Sequence, residues 1–135
     1  MAANFGGGST VNANGTVSAP SYNIQGANYN NVGGALNAVN NSLSNLQSQV
    51  SQSNRLASAG TALALAASGL RYDDRPGKIS TAIGAAGFHG QGGVAGGLGW
   101  TSDDGKWRAN VGVSLSPTYT RADAGVNGGL SFTWN

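Results

Sequence analysis

The chain has 135 residues, 23 of them Gly, with no Cys and only 9% charged residues, where a soluble globular domain carries about 25%. A net charge of +2 from scattered basic residues argues against nucleic acid as a partner. Zero Cys removes disulfide and thiol chemistry, and a single His leaves little for a metal. No cofactor and no catalytic set is expected.

The length suits one ordinary domain. No stretch of about 20 apolar residues exists, so no transmembrane helix is expected. A transmembrane β-barrel stays open, because it hides its hydrophobicity in alternation. The start, MAANFGGGST, lacks the basic and apolar regions of a signal peptide. It reads as the start of a fragment.

Residues 1–54 contain no charged residue. Over 1–33, short β-prone pieces at Thr16-Val17 and Tyr22 to Ile24 are broken by Asn-Gly and Ala-Pro. These predict a small β-type connector, with a disordered polar linker as the alternative. Residues 34–54 predict a coiled-coil stalk. Val32, Leu36, Val39, Leu43, Leu46 and Val50 follow spacings of 4, 3, 4, 3 and 4, an a/d seam. Its flanks are Asn, Ser and Gln, so it calls for partner helices rather than salt bridges.

Residues 55–77 continue the helix and then turn. The seam shrinks to Ala57, Gly60, Ala64 and Ala67, while Leu56, Leu63 and Leu70 open a second stripe. This predicts a helix that has entered a narrow tube, with apolar contacts on two sides. RYDDRPGK (71–78) stops it, because Pro76 cannot continue a helix.

Residues 78–135 predict four strands. Ile79, Thr81, Ile83 and Ala85 share one face of the first. Val94, Leu98 and Trp100 share one of the second, with Gly92 and Gly96. Trp107, Ala109, Val111, Val113 and Leu115 share one of the third. Ala122, Ala124, Val126, Leu130, Phe132 and Trp134 share one of the fourth. These faces run odd, even, odd, even along the chain. Even-length hairpin loops then place all four on one side of a meander. Asp104-Gly105 predicts a two-residue turn, pairing Ser102 with Trp107 and Trp100 with Ala109.

Val111, Val113, Leu115, Val126, Leu130 and Phe132 are expected to face lipid. The other face, mostly Gly, Ala, Ser and Asn, suits a lumen, with Arg108, Asn110, Asp123 and Asn127 pointing into it. Arg108, Arg121 and Asp123 either pair there or sit at the water level near the strand ends. Trp100, Trp107 and Trp134 collect at one edge of the meander, as an aromatic girdle does. Four strands cannot close a barrel, and an open sheet in lipid leaves unpaired edges at several kcal/mol per group. Three chains with four strands each would supply twelve.

Other chemistry finds little footing. GQGGVAGG lacks the Gly-Lys-Ser/Thr ending of a phosphate loop and sits in a strand pattern. His89 reads as a solvated loop residue. Asp73 and Asp74 are adjacent and point apart in an extended segment, and Asp103 and Asp104 read as turn residues. A soluble trimeric fibre, such as a tail-fibre tip with the apolar face in a shared core, is the alternative architecture.

AGTALA (59–64), LRYDDRPGKISTAIGAAGFHGQGGVAGGLGW (70–100) and the four-strand ending resemble the C-terminal anchor of trimeric autotransporter adhesins, the YadA-like family. The resemblance covers residues 55–134 well and the stalk-like region from Thr10 to Val50 more loosely. It implies a homotrimeric twelve-stranded outer-membrane barrel, with four antiparallel strands per chain and three pore helices inside. It implies export of an adhesive passenger through that barrel, part of the type V secretion process. The implied partners are two identical chains, outer-membrane lipid, the barrel-assembly machinery and, through a missing head, a host surface ligand. The family's pore-facing glycine matches Gly84, with Gly87 as competitor. The family commonly ends on an aromatic residue used as an insertion signal, whereas Asn135 follows Trp134 here. The implied topology puts 71–78 and 102–106 in the periplasm and FHGQGG and PTYTRA outside, with Tyr119 near the outer interface.

Overall fold

A computed structural model describes residues 2–117 and 122–134. Met1, Tyr119, Arg121 and Asn135, each named in an expectation above, lie outside the described residues. The elements are helix α1 (Ala2–Phe5), strands β1 (Tyr22–Ile24) and β2 (Ala27–Tyr29), helix α2 (Val32–Ser68), and strands β3 (Ile79–Phe88), β4 (Gln91–Thr101), β5 (Trp107–Pro117) and β6 (Ala122–Phe132). The chain forms two compact units, Met1–Ser51 and Gln52–Asn135.

In the first unit β1 and β2 form a hairpin with Ile24 opposite Ala27. Gln25 and Gly26 between them are both left-handed, as a type I′ turn requires. Thr16-Val17, read as β-prone, forms no strand, and Val17 makes a single bridge to Val11. Asn31 caps α2, its side-chain oxygen accepting the Gly34 N–H at 2.7 Å. Seam residues Val32, Leu36, Val39, Leu43, Leu46 and Val50 are all exposed, between 38% and 62%. Ile24 and Gln25 of the hairpin, with Val39, Leu43 and Leu46, line a groove of about 410 Å³.

In the second unit α2 ends at Ser68, before RYDDRPGK is reached. The Gly69 N–H closes the last turn on the Leu65 and Ala66 carbonyls, both at 3.2 Å. Leu70 then enters the core formed with Ala66, Ala82 and Ala95. The sheet has the order β3-β4-β5-β6, all antiparallel. Cross-strand partners sum to odd numbers throughout: Ile79 with Trp100, Trp100 with Ala109, Trp107 with Phe132. The register expected from parity is the one observed.

Two local expectations are corrected. The β4–β5 connection keeps the expected register but is not a two-residue turn. Of its residues only Gly105 is left-handed, whereas a type I′ turn needs positive φ at both central positions. The connection runs over four residues, closed by the Gly105 N–H on the Ser102 carbonyl (2.9 Å) and the Ser102 N–H on the Trp107 carbonyl (3.0 Å). The Asp104 carboxylate accepts the Lys106 N–H at 3.0 Å and the Ser102 hydroxyl, which holds its pKa below the ordinary value. The two-residue turn sits instead at His89-Gly90, both left-handed, between paired Phe88 and Gln91.

The second correction concerns the helix. The stripe buried against the sheet is Ala59, Ala62 and Ala66, each fully buried, followed by Leu70. Of the second stripe read from sequence, Leu56 is exposed and Leu63 half-buried. The opposing wall is Gly and Ala, so the backbones approach too closely for Leu to fit between them.

Candidate functional site

The alternation of the strands divides the sheet into two chemically distinct faces. The inner face carries Ala82, Gly84 and Ala86 on β3, then Gly93, Ala95, Gly97, Gly99 and Thr101 on β4, and Gly112, Ser114 and Ser116 on β5. Its side chains are small because α2 lies on them. A Cβ at Gly84 would collide with the Ala66 carbonyl oxygen. One at Gly93 would stand 2.6 Å from the Ala62 carbonyl oxygen. Gly87, the competing glycine, would meet only ordinary contact, 3.7 Å from the Gln91 carbonyl oxygen. So two helix carbonyls four residues apart rest on two glycines of neighbouring strands. Gly93 was not singled out by sequence reasoning. Its parity placed it on this face, but nothing in GQGGVAGG tells which glycine meets a helix.

Two buried hydroxyls of the inner face donate to backbone carbonyls. Ser116 donates to the Gly92 carbonyl at 2.6 Å. Thr101, nearly inaccessible, donates to the Asp73 carbonyl at 3.3 Å. Arg108 is half-buried and donates from Nη1 to the Thr133 hydroxyl at 2.8 Å, while its Nε has no partner among the described residues. Asn110 and Asp123 are half-buried and Asn127 is exposed. Arg108 and Asp123 do not pair. Asp123 opposes Ser116, eight residues along β5 from Arg108, or about 26 Å at ~3.3 Å per residue.

Ala57, Gly60 and Ala64 are exposed and Ala67 is half-buried. A side chain at Gly60 would meet nothing. At 100° per residue Ala57, Gly60 and Ala64 lie on the side of α2 away from Ala59, Ala62 and Ala66, whereas Ala67 packs against the core cluster of Ala66, Leu70, Ala82 and Ala95.

The outer face is apolar and uncovered. Ile79, Ile83, Val94, Leu98, Val111, Val113, Leu115, Val126 and Leu130 are exposed, from 47% for Leu115 to 88% for Ile83. Phe132 is half-buried because it lies between Trp107 and Trp134, with ring centroids 4.7 and 4.9 Å away. Trp100, in register with Ile79 and Ala109, lies at the same end of the sheet.

The segment joining α2 to β3 is tied to that end. The Gly77 N–H donates to the Ser102 carbonyl, and the Thr101 N–H to the Lys78 carbonyl, both at 3.0 Å. Asp73 makes a bidentate ion pair with Arg75, the shortest N···O distance being 2.5 Å. Hydrogen bonds from the Arg75 guanidinium and backbone hold the Asp73 carboxyl down at about 2. Asp73 thus turns to Arg75 rather than to its neighbour Asp74. The His89-Gly90 turn closes the opposite end of the sheet.

Among the described residues no helix is long and apolar enough to cross a membrane, which says nothing of crossing by strands. Residues 71–134 match the family of the YadA-like membrane anchor domain. Autotransporter adhesin BtaE of Brucella suis biovar 1 (strain 1330) is 51% identical over 71 residues, 53% of this chain and 9% of that protein. Autotransporter adhesin BtaF of the same organism is 49% identical over 72 residues, 53% of this chain and 24% of that protein. The chain thus spans under a quarter of the length of either relative. A long helix and an antiparallel sheet of small-faced, apolar-backed strands are the parts such an anchor needs, and residues 71–134 of this chain are a YadA-like membrane anchor domain.

Proposed function

We propose that the chain is the outer-membrane anchor and translocator of a trimeric autotransporter, exporting an adhesive passenger and then tethering it to the cell surface. Three copies place four strands each around three pore helices. The observation that carries this reading is an open sheet of 10- and 11-residue strands with an exposed apolar outer face and an inner face filled by its own helix. Strands of about that length cross a bilayer when tilted. The two edges, β3 and β6, must be paired before lipid can surround them, and β6 of one copy against β3 of the next pairs both.

In that assembly Val111, Val113, Leu115, Val126, Leu130 and Phe132 face lipid, and Trp100, Trp107 and Trp134 form the periplasmic girdle. Arg108, Asn110, Asp123 and Asn127 face the lumen. Ala57, Gly60, Ala64 and Ala67 meet the other two pore helices, and Val32 to Val50 form the stalk seam. Gly84 lets the pore helix lie close to the wall. The functional segments are 1–33 as connector, 34–54 as stalk, 55–77 as pore helix and turn, and 78–135 as barrel segment. The stalk end faces the cell surface, and the activity is anchoring and export rather than catalysis. The barrel-assembly machinery inserts the barrel, and host ligands are met through a passenger head.

Extraction of cell envelopes tests this. The expected product is an SDS-resistant species of three protomers, dissociated by boiling and found only in the detergent fraction. Recovery as a monomer after gentle extraction would overturn the proposal. Recovery in the aqueous fraction without detergent would favour a soluble fibre.

A further inference from the structure

Between α2 and β3, an aromatic ring occupies space that β4 leaves empty. A Cβ at Gly99 would stand 2.6 to 2.8 Å from Cδ1, Cγ and Cβ of Tyr72. One at Gly97 would overlap the Tyr72 hydroxyl and stand 3.1 Å from Cζ, and it would also stand 2.8 Å from the Val111 carbonyl oxygen of β5. Gly97 and Gly99 are two apart on one strand, so both open to the inner face, and the ring lies along them. Two residues before Tyr72, Leu70 closes the core around Ala66, Ala82 and Ala95, with Tyr72 packed against that cluster. One residue after it, the Asp73 N–H donates to the Ser80 hydroxyl at 3.0 Å and the Asp73 carbonyl accepts from Thr101. The ring is therefore held on both sides by contacts to the sheet.

The Tyr72 hydroxyl is buried and has no hydrogen-bond partner among the described residues. A buried oxygen without a partner contributes no attraction to offset its desolvation. What holds the ring is its fit against bare backbone, where any β-carbon would displace it.

We infer that Tyr72, seated on Gly97 and Gly99, is a latch that fixes the position of the C-terminal end of α2 along the sheet. Tyr72 is a positioning residue in this role. The use of the latch rests on the anchor reading given above. In that setting, tension on the stalk passes down α2 to this seat, which keeps the helix from sliding out of the pore. The contacts themselves lie within one chain.

Hydrogen exchange on the full chain purified in detergent tests the latch, read at the amides of residues 64–68. Tyr72→Ala and Gly99→Ala should each raise exchange there roughly tenfold, while the amides of the β4–β5 ladder keep parental rates. Tyr72→Phe should match the parent, because the hydroxyl is not what holds. Adding Gly99→Ala to Tyr72→Ala should raise exchange far less than Gly99→Ala does in the parent, since the ring atoms are gone and only the residue 72 β-carbon remains near the new one. Should Tyr72→Ala or Gly99→Ala fail to fold, Gly97→Ala gives a second approach. Its β-carbon also meets the Val111 carbonyl oxygen at 2.8 Å, a clash common to both backgrounds, so the latch is read from the difference: it should speed exchange at residues 64–68 more in the parent than in Tyr72→Phe.

Parental rates in both single variants, additive effects in the double variant, or a Tyr72→Phe as fast as Tyr72→Ala would each overturn the latch. A parent without an SDS-resistant trimer would sink the anchor reading and leave this comparison intact. A normal trimer with unaltered exchange would sink the latch alone.

Discussion

At Gly84 one missing carbon sets how closely a helix approaches a wall. Its β-carbon position is taken by the Ala66 carbonyl oxygen, so Gly84→Ala must push α2 outward or bend β3. Overpacking of this kind costs ~1–3 kcal/mol. The expected outcome is a lower heat-dissociation temperature for Gly84→Ala, followed by gel mobility, with Gly87→Ala near the parent. Gly84 was readable only through a family resemblance, and Gly93, with the same kind of contact, was not read at all. A glycine in a strand has one spelling whether it faces a helix or lipid. At Asp73 the chemistry is local. Its folded pKa lies below the ordinary 3.8, so the pairing favours the folded state above that value and is lost as pH falls through about 2. Arg75 is largely exposed, so solvent screens the pair and its effect on stability is small. The Asp73 carboxyl should titrate near 2 by carbon NMR, and Arg75→Leu should return it toward 3.8.

Among the elements, the strands were legible and two of their connections were not. Parity of apolar positions predicts register because side chains alternate with a period of two, and every pair from Ile79-Trp100 to Trp107-Phe132 obeys it. Asp104-Gly105 carries the commoner two-residue signature, yet His89-Gly90 makes the turn. The Asp104 carboxylate instead caps Lys106 and binds Ser102, which stabilises the longer connection. Gly90, at a φ of 76°, should not tolerate a side chain. Gly90→Ala is expected to cost ~1–2 kcal/mol in a thermal melt, whereas His89→Asn should be neutral or stabilising, because Asn accepts the left-handed region. The long helix was legible from its spacing and lack of Pro. Its sheet-facing stripe was not, because Ala59, Ala62 and Ala66 carry too little hydrophobicity to stand out beside Leu56 and Leu63.

On the scale of the whole molecule, the outer face has no cover. A monomeric soluble protein rarely exposes so continuous an apolar surface. Lipid or further protein must meet it, and a charge placed there separates the two chemistries from the lumen side. Val126→Arg, at a site 86% exposed, is expected to destabilise a membrane-embedded barrel by ~2–4 kcal/mol at midplane depth and to reduce the SDS-resistant trimer. Asn127→Arg, one residue along, should be tolerated far better. Equal tolerance of both changes would contradict a lipid-facing Val126.

The sequence by itself determined the periods: a helix with a 4-3 seam, four strands, their register and the gathering of Trp at one edge. Each follows from the order of side chains along one element, or from parity between adjacent ones. Only the tertiary structure decided which helix face meets the sheet, which glycines admit its carbonyls, where Tyr72 rests and which loop makes the tight turn. Those depend on how near two backbones come, and that distance is set by side chains that are absent as much as by those present.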